Sequence, residues 1–270
     1  MKELIKRALI RLHLQFLLHL YYRLPELQER VRTAYWRLLM RLNIEVERDI
    51  RYDLETIDVM RRMLKKDSNC IDVGCNRGDL LREILKLAPQ GTHYAFEPIP
   101  ELFKGLTALF PKVNISNVAL SDTKGVTTFY DVVSCRAYSG LQGRHLEQTE
   151  DVRQITVPTD RLDDIVPADV PIRLIKVDVE GAELLVLRGA VNTIRRNKPV
   201  IIFEHGLGGA EFFNSTPRDI YDLLVKECDL RISVMKDWLR HRPPLTREQF
   251  TSQFEQHKNY MFMAHLEANP

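Results

Sequence analysis

The chain of 270 residues is poor in cysteine, with only Cys70, Cys75, Cys135 and Cys228. No two of them form a C-x-x-C pair, and no Cys/His cluster has zinc-ligand spacing, which argues against a disulfide framework or a structural zinc module. The expected setting is a reducing one, the cytoplasm. An excess of one charge sign is missing too. The 39 Lys and Arg against 37 Asp and Glu leave +2, far from the strongly basic footprint of a nucleic-acid binder. Long apolar runs are also absent. Residues 8–24 come nearest, but Arg11, His13, Gln15, His19 and Arg23 interrupt them, whereas a membrane span needs ~20 mostly apolar residues. No small-residue cleavage site follows, so a signal peptide is not expected either. The chain also lacks G-x-G-x-x-G, which disfavours a nucleotide-linked dehydrogenase. There is no internal repeat and no low-complexity tract.

What is present is enough apolar sequence, 44%, for a sizeable core. The first 66 residues read as helical, with Leu4, Ile5, Ala8, Leu9, Leu12, Phe16, Leu17, Leu20 and Leu24 at helical spacing. Residues 1–50 hold ten Lys and Arg against six Asp and Glu. A basic, helical N-terminal extension over 1–66 is therefore expected, followed by a catalytic domain over 67–270. The extension could pack on the core, pair two subunits as a homodimer, or rest peripherally on a membrane surface.

Beyond residue 66 short β-rich runs alternate with helical stretches. Strands are expected at Cys70–Val73, His93–Glu97, Val113–Val118, Leu174–Asp178, Val200–Glu204, Arg231–Val234 and Tyr260–Ala264. Helices are expected at Asp79–Leu87, Pro100–Leu109, Ala182–Arg195 and Pro217–Lys226, the last capped by Thr216 or Ser215 with Pro217 in first position. That alternation predicts a doubly wound, mostly parallel sheet covered on both faces. A hairpin, Val126–Tyr130 with Ile155–Val157, interrupts it. Its long polar loop, residues 134–151, is a candidate acceptor cover, and Arg136, Tyr138, Ser139 and His145 within it are candidate substrate contacts.

Four strand ends carry chemistry. The first is Cys70-Ile-Asp-Val-Gly-Cys-Asn-Arg-Gly78, a strand entering a glycine turn and then a helix. Glycine permits close backbone approach, and the helix start presents amide donors. An ordinary strand–helix turn is the plain alternative. The second is Glu97, at the end of the next strand and 19 residues past Gly78. An acid there can accept both hydroxyls of a ribose. The third is Leu174-Ile-Lys-Val-Asp178-Val-Glu-Gly-Ala-Glu183. Asp178 stands where open sheets bind ligands, and Glu180 stands close to the same strand end. Lys176 reads as a salt bridge within the sheet, and Glu183 as a helix-start acid or an ion pair. The fourth is the Glu204–His205 pair closing Val200-Ile-Ile-Phe-Glu204. Histidine suits general-base work on a hydroxyl, helped by Glu204 or Asp178. The same acids with His205 could instead hold a divalent ion, although no metal is predicted.

Together these segments resemble the FkbM family of S-adenosylmethionine (SAM)-dependent methyltransferases. The matching pieces are IDVGCNRGDLL (71–81), YAFEPIPELFKGL (94–106), NVALSDTKGVTTFY (117–130), VPTDRLDDI (157–165), LIKVDVEGAELLVLRGA (174–190) and KPVIIFEH (198–205), in that order, over about half the chain. The resemblance implies a class I, Rossmann-like methyltransferase fold with SAM as methyl donor. It implies transfer to a hydroxyl of a sugar, glycan or natural product. It also implies that Asp72, Gly74, Asn76 and Gly78 cradle the methionine part and that Glu97 and Pro98 meet the ribose. Asn117, Ala119 and Ser121 would border the adenine, and Asp178 at its strand end is counted with the cofactor contacts. The pattern departs from many related methyltransferases, because Ala119-Leu120 precede Ser121-Asp122 where an acid is usual. Which side chain meets the adenine stays open. The alternatives are a non-catalytic SAM-binding scaffold and an RNA methyltransferase. The near-neutral body, without a basic, aromatic-studded face, disfavours the second.

Overall fold

A computed structural model describes residues 34–39, 47–134, 139–142 and 151–266. The chain divides into two compact units, residues 1–55 and 56–270. Most of the expected N-terminal extension lies outside the described residues. Of it, residues 34–39 are helical, as is α1 (Arg48–Met63). No described helix is long and apolar enough to cross a membrane.

The second unit is built on a seven-stranded sheet. Its strands are β1 (Asn69–Val73), β2 (His93–Phe96), β3 (Asn114–Ser116), β7 (Ile172–Val177), β8 (Val200–Glu204), β9 (Arg231–Ser233) and β10 (Met261–His265), in the order β3-β2-β1-β7-β8-β10-β9. The pairs from β3 through to β8 are parallel, and β10 runs antiparallel to both β8 and β9. The central strands are buried on both faces, so they read as continuous apolar runs such as Ile201, Ile202 and Phe203. This is the doubly wound, mostly parallel arrangement expected of a class I methyltransferase.

Helices α2 (Asp79–Leu87) and α3 (Pro100–Leu109) occupy the expected ranges. The expected Ala182–Arg195 helix is two, α4 (Glu183–Arg188) and α5 (Val191–Asn197). They part at Gly189, where a Cβ would stand 2.0 Å from the Ser121 carbonyl oxygen. Thr216 caps α6 (Pro217–Tyr221) in a capping box with Asp219, and the chain then widens into a π-helical turn over Asp222–Glu227. Sequence reading passed over a short helical turn at Met235–Leu239 and α7 (Arg247–Glu255). The hairpin is longer than expected. Strands β5 (Gly125–Val132) and β6 (Val152–Asp160) pair antiparallel, and β4 (Ala119–Leu120) pairs parallel with β6 in a small second sheet.

The strand order reverses between β1 and β7, since the chain steps outward from β1 to β3 and then returns to the other side of β1. A crevice at the carboxyl ends of the strands around such a switch point is the ligand site of open α/β sheets. Both strands end there. The Asp178 N–H donates to the Val73 carbonyl, and the Gly74 N–H donates to the Phe96 carbonyl.

Candidate functional site

A cleft opens at this switch point, and its floor is the glycine turn. Gly74 and Gly78 both have φ +77°, and Asn76 between them has φ +46°. At Gly74 a Cβ would lie 1.9 Å from the Asp178 carbonyl oxygen, so the close approach of the β1 and β7 ends requires glycine. Gly78, expected to contact the cofactor, also has a packing purpose. It is outside the cleft lining, and a Cβ there would run into Phe110 at 2.5 Å and Leu106 at 2.8 Å. Its lack of a side chain lets the start of α2 pack on α3 and the residue that follows it.

Glu97 stands at the end of β2, buried and lining the cleft. Its carboxylate accepts from the Asn76 N–H at 2.9 Å through one oxygen and from the Ile99 N–H at 2.9 Å through the other. Two backbone donors thus fix the orientation of the carboxylate. The Asn76 side-chain oxygen is buried without a hydrogen-bond partner among the described residues, and Asn76 also lines the cleft.

The wall beside Glu97 is apolar. Pro98, Ile99, Val118, Ala119 and Leu120 contribute to it, joined by Leu102 from α3, Phe129 from β5 and Leu141. Leu102, Phe129 and Leu141 were not singled out from the sequence. Phe129 could have been suspected from its place in the hairpin that interrupts the alternation. Asn117 and Ser121 stand apart from the cleft lining. The Asn117 amide donates to the Glu97 and Pro98 carbonyls at 2.8 and 2.9 Å, which ties the β2 end to the strand beside it. The Ser121 N–H donates to the Asp160 carbonyl, and its hydroxyl to the Asp122 carboxylate.

The opposite end of the cleft is acidic, with Asp178 and Glu180 in its lining. Glu204, outside that lining, brings a carboxylate oxygen to within 4.8 Å of theirs, a spacing that a hard divalent cation could also bridge. The Lys176 ammonium donates to Asp178 at 2.8 Å, which is the salt bridge expected within the sheet. Asp72 lies in register with Lys176 across the β1–β7 pair, is 2% exposed, and has one oxygen with no hydrogen-bond partner among the described residues. Burial pushes its carboxyl up to about 7; Lys176 opposes that rise and Asp178 adds to it. Glu183 accepts from the Val179 and Gly181 N–H groups at 3.1 Å each, as a helix-start acid does. Burial nevertheless pushes it to about 7. Glu204 is held well above the usual carboxylate range, first by burial and then by the charges of Asp178, Glu180 and Glu183.

His205, expected from the sequence to be the general base, is not brought to this cluster. It is 1% exposed, stacked on Phe254 at 4.7 Å and near Phe250 at 5.9 Å. Neither ring nitrogen has a hydrogen-bond partner among the described residues, and burial lowers its pKa to about 4. Successive side chains at a strand end point to opposite faces, so Glu204 meets the acids while His205 turns into the phenylalanine layer.

Of the loop, Arg136, Tyr138 and His145 lie outside the described residues. The Ser139 hydroxyl accepts from the Val132 N–H at 2.9 Å, so it holds the loop base while lining the cleft. Gly140 exchanges backbone hydrogen bonds with Tyr130, and a Cβ on it would stand 3.3 Å from the Glu180 Cβ. The loop base therefore rests on the acidic end.

Comparison with known proteins matches residues 72–232 to the Methyltransferase FkbM domain. The chain is 28% identical over 174 residues to the 2-O-methyltransferase NoeI of Sinorhizobium fredii, covering 57% of this chain and 72% of that protein. It is 28% identical over 195 residues to the hexuronic acid methyltransferase AglP of Haloferax volcanii, covering 70% of this chain and 74% of that one. Among solved structures it is similar to the methyltransferase FkbM from Methylobacillus flagellatus KT. That likeness has 14% identity and a TM-score of 0.48, covers 75% of this chain and 44% of that one, and is too slight to argue from. The family match takes in the glycine turn, Glu97, Asp178, Glu180 and Glu204. The chain belongs to the FkbM methyltransferase family.

Proposed function

We propose that the protein is a SAM-dependent O-methyltransferase acting on a hydroxyl of a sugar in a glycan or glycan-like acceptor, and that it works in the cytoplasm. The observation that carries this reading is the polarity of the cleft. The Glu97 carboxylate and an apolar wall stand at one end, and the carboxylates of Asp178 and Glu180, with Glu204 close by, stand at the other. The names of the two relatives, one for 2-O-methylation and one for a hexuronic acid, support a sugar hydroxyl as the acceptor.

The residues present fit SAM. Glu97, oriented by two backbone N–H groups, accepts the ribose hydroxyls. The wall of Ile99, Leu102, Val118 and Phe129 suits a flat adenine. The orphaned Asn76 side-chain oxygen offers an acceptor to the amino group of the methionine part. When bound, SAM supplies an electrophilic methyl group on a positively charged sulfur. The acids beyond it make the reaction end electronegative, which suits both that charge and a hydroxyl that must lose a proton.

Catalysis then needs alignment and a proton acceptor. Holding the acceptor oxygen in line with the methyl group can lower the barrier by roughly 7–11 kcal/mol. A positioned base adds a factor of ~10²–10⁴. The base belongs to the carboxylate cluster rather than to His205, whose ring lies among phenylalanines. An RNA acceptor fits less well, because carboxylates at the reaction end would repel phosphates.

Calorimetric titration with S-adenosylhomocysteine tests the reading. Micromolar binding to the wild type is expected, with loss of that affinity in Glu97→Ala. A well-folded wild type that binds none would overturn it.

A further inference from the structure

The inner face of the β5–β6 hairpin is apolar for most of its length and then ends in charge. Phe129 from β5, with Ile155 and Val157 from β6, packs with Ile99 and Leu102 in a small cluster of its own. Residues two apart on a strand share a face. Asp131 therefore continues the row of Phe129, and its register partner Arg153 continues the row of Ile155. The Asp131 side chain is fully buried. Arg153 Nη2 donates to it at 2.6 Å, and to Glu101 in the first turn of α3 at 2.9 Å. One nitrogen thus joins the hairpin to the helix whose next residue, Leu102, lines the cleft. On its other edge β5 pairs through Tyr130 with Gly140, which brings Leu141 into the same lining.

Stability alone is a poor reason for this triad. The Arg153–Glu101 pair is about half exposed on both sides, and such pairs are worth little. A carboxylate is costly at the fully buried position 131, where an apolar side chain would extend the cluster instead. What the triad supplies is direction. Apolar contact is non-directional, so a cluster this small does not fix how the hairpin sits on α3. Hydrogen bonds between charged groups have a set length and geometry, and two of them meet at one nitrogen here.

We propose that Arg153 is a positioning residue for the adenine of the cofactor: by tying Asp131 to Glu101 it holds the hairpin half of the apolar wall, Phe129 with Leu141 beside it, at a fixed spacing from the half at the start of α3, Ile99 and Leu102. The proposal rests on the SAM reading of the cleft. Arg153 is outside the cleft lining and acts through its two partners. Because both bonds leave the same nitrogen, the task needs a point donor and not the fork of a guanidinium, so a lysine can perform it. The latch stands at the adenine end of the cleft. Its loss should therefore loosen the grip on the adenine and spare the rest of the ligand.

The test is calorimetric titration with S-adenosylhomocysteine, joined to NMR saturation transfer from protein to ligand protons, on the wild type, Arg153→Gln, Arg153→Lys and Glu101→Ala. Arg153→Gln is expected to weaken binding by about three- to tenfold, between the worth of an exposed ion pair and that of a hydrogen bond to a charged group. Saturation transfer to the adenine H2 and H8 protons should fall relative to that on the homocysteine methylene protons. Arg153→Lys should restore both. Glu101→Ala removes only the bond to α3, at an exposed helix position, and should reproduce the loss. It also covers the case in which Arg153→Gln, by depriving the buried Asp131 of its cation, does not fold. Wild-type affinity in the substituted proteins overturns the proposal. So does a loss that lysine fails to recover, or one that falls equally on adenine and homocysteine protons, since a general loosening of the fold would do either. A well-folded wild type that binds no S-adenosylhomocysteine overturns the cofactor reading and this role with it, whereas binding that no substitution alters overturns the role alone.

Discussion

The two ends of the cleft are built on opposite principles. At the β2 end each Glu97 oxygen meets a backbone N–H, and the amide of Asn117 ties the turn from behind. At the β7–β8 end acids crowd one lysine, Asp72 and Glu183 are pushed up to about 7, and Glu204 is held well above the usual carboxylate range. A satisfied network is rigid and specific, whereas a crowded one with spare charge exchanges protons easily. The first end is suited to hold a ligand in one pose. The second is suited to take a proton from it.

The sharpest way to break that contrast is to neutralise the acidic end. Glu204→Gln keeps the shape and removes one carboxylate of the cluster proposed to take the proton. Turnover should fall by ~10²–10⁴ while affinity for S-adenosylhomocysteine stays within about threefold. Equal losses in both would mean that the two ends are one site with one task. The complementary change is Glu97→Ala. Hydrogen bonds to a charged group are worth about 1.5–3 kcal/mol each, so losing the ribose seat should weaken S-adenosylhomocysteine by roughly a hundredfold or more in calorimetry.

Between the two ends lies Gly74, and its substitution tests whether they share a frame. Alanine there combines φ +77° with a Cβ 1.9 Å from the Asp178 carbonyl oxygen, so the β1 and β7 ends must separate. Strain of this kind costs about 1–3 kcal/mol. Gly74→Ala should lower the thermal midpoint by several degrees and loosen both ligand binding and the Lys176–Asp178 pairing. A variant with wild-type stability would show that the turn can yield without disturbing the sheet.

How much of this could be read from the residues follows the same division. The strands were legible because parallel, doubly buried strands are continuous apolar runs that stop at polar groups, as Val200–Glu204 does. Glu97 was legible for the same reason, standing after the apolar run of β2. The break at Gly189 was not, because its cause is the Ser121 carbonyl, which only the fold brings near. Helix α7 was passed over because Phe250 and Phe254 are its only buried residues, too few for a periodic signal. The packing of Gly78 on Leu106 and Phe110 was not legible, since a packing glycine and a ligand-cradling glycine look alike in a sequence. The face of the Glu204–His205 pair was the hardest point. Alternation says that the two side chains part, and only the layer of Phe250 and Phe254 says which of them turns away from the cleft.

His205 therefore offers the smallest expected effect on activity and the cleanest test of which residue faces the acids. As a base, its loss would cost ~10²–10⁴ in rate. As a ring packed on Phe254, it should be replaceable by phenylalanine with turnover kept within about threefold. Stability adds a second reading. The folded protein holds this imidazole at about 4, below its ordinary 6.5, because burial disfavours the cation. Between those values the unfolded chain binds the extra proton and the folded one does not, so the group removes stability as pH falls from about 6.5 to about 4. The full effect is about 3 kcal/mol. Asp72 and Glu183, raised to about 7, act in the opposite direction over part of the same window, losing stability as pH rises through it. Comparing wild type with His205→Phe by urea unfolding cancels those carboxyls and isolates the histidine. The variant should gain on the wild type steadily as pH is lowered through that window and match or exceed it at pH 7, where the unpartnered ring nitrogens are its main change. A difference that stays flat with pH would place His205 in a hydrated setting, and a collapse in turnover would return it to the reaction.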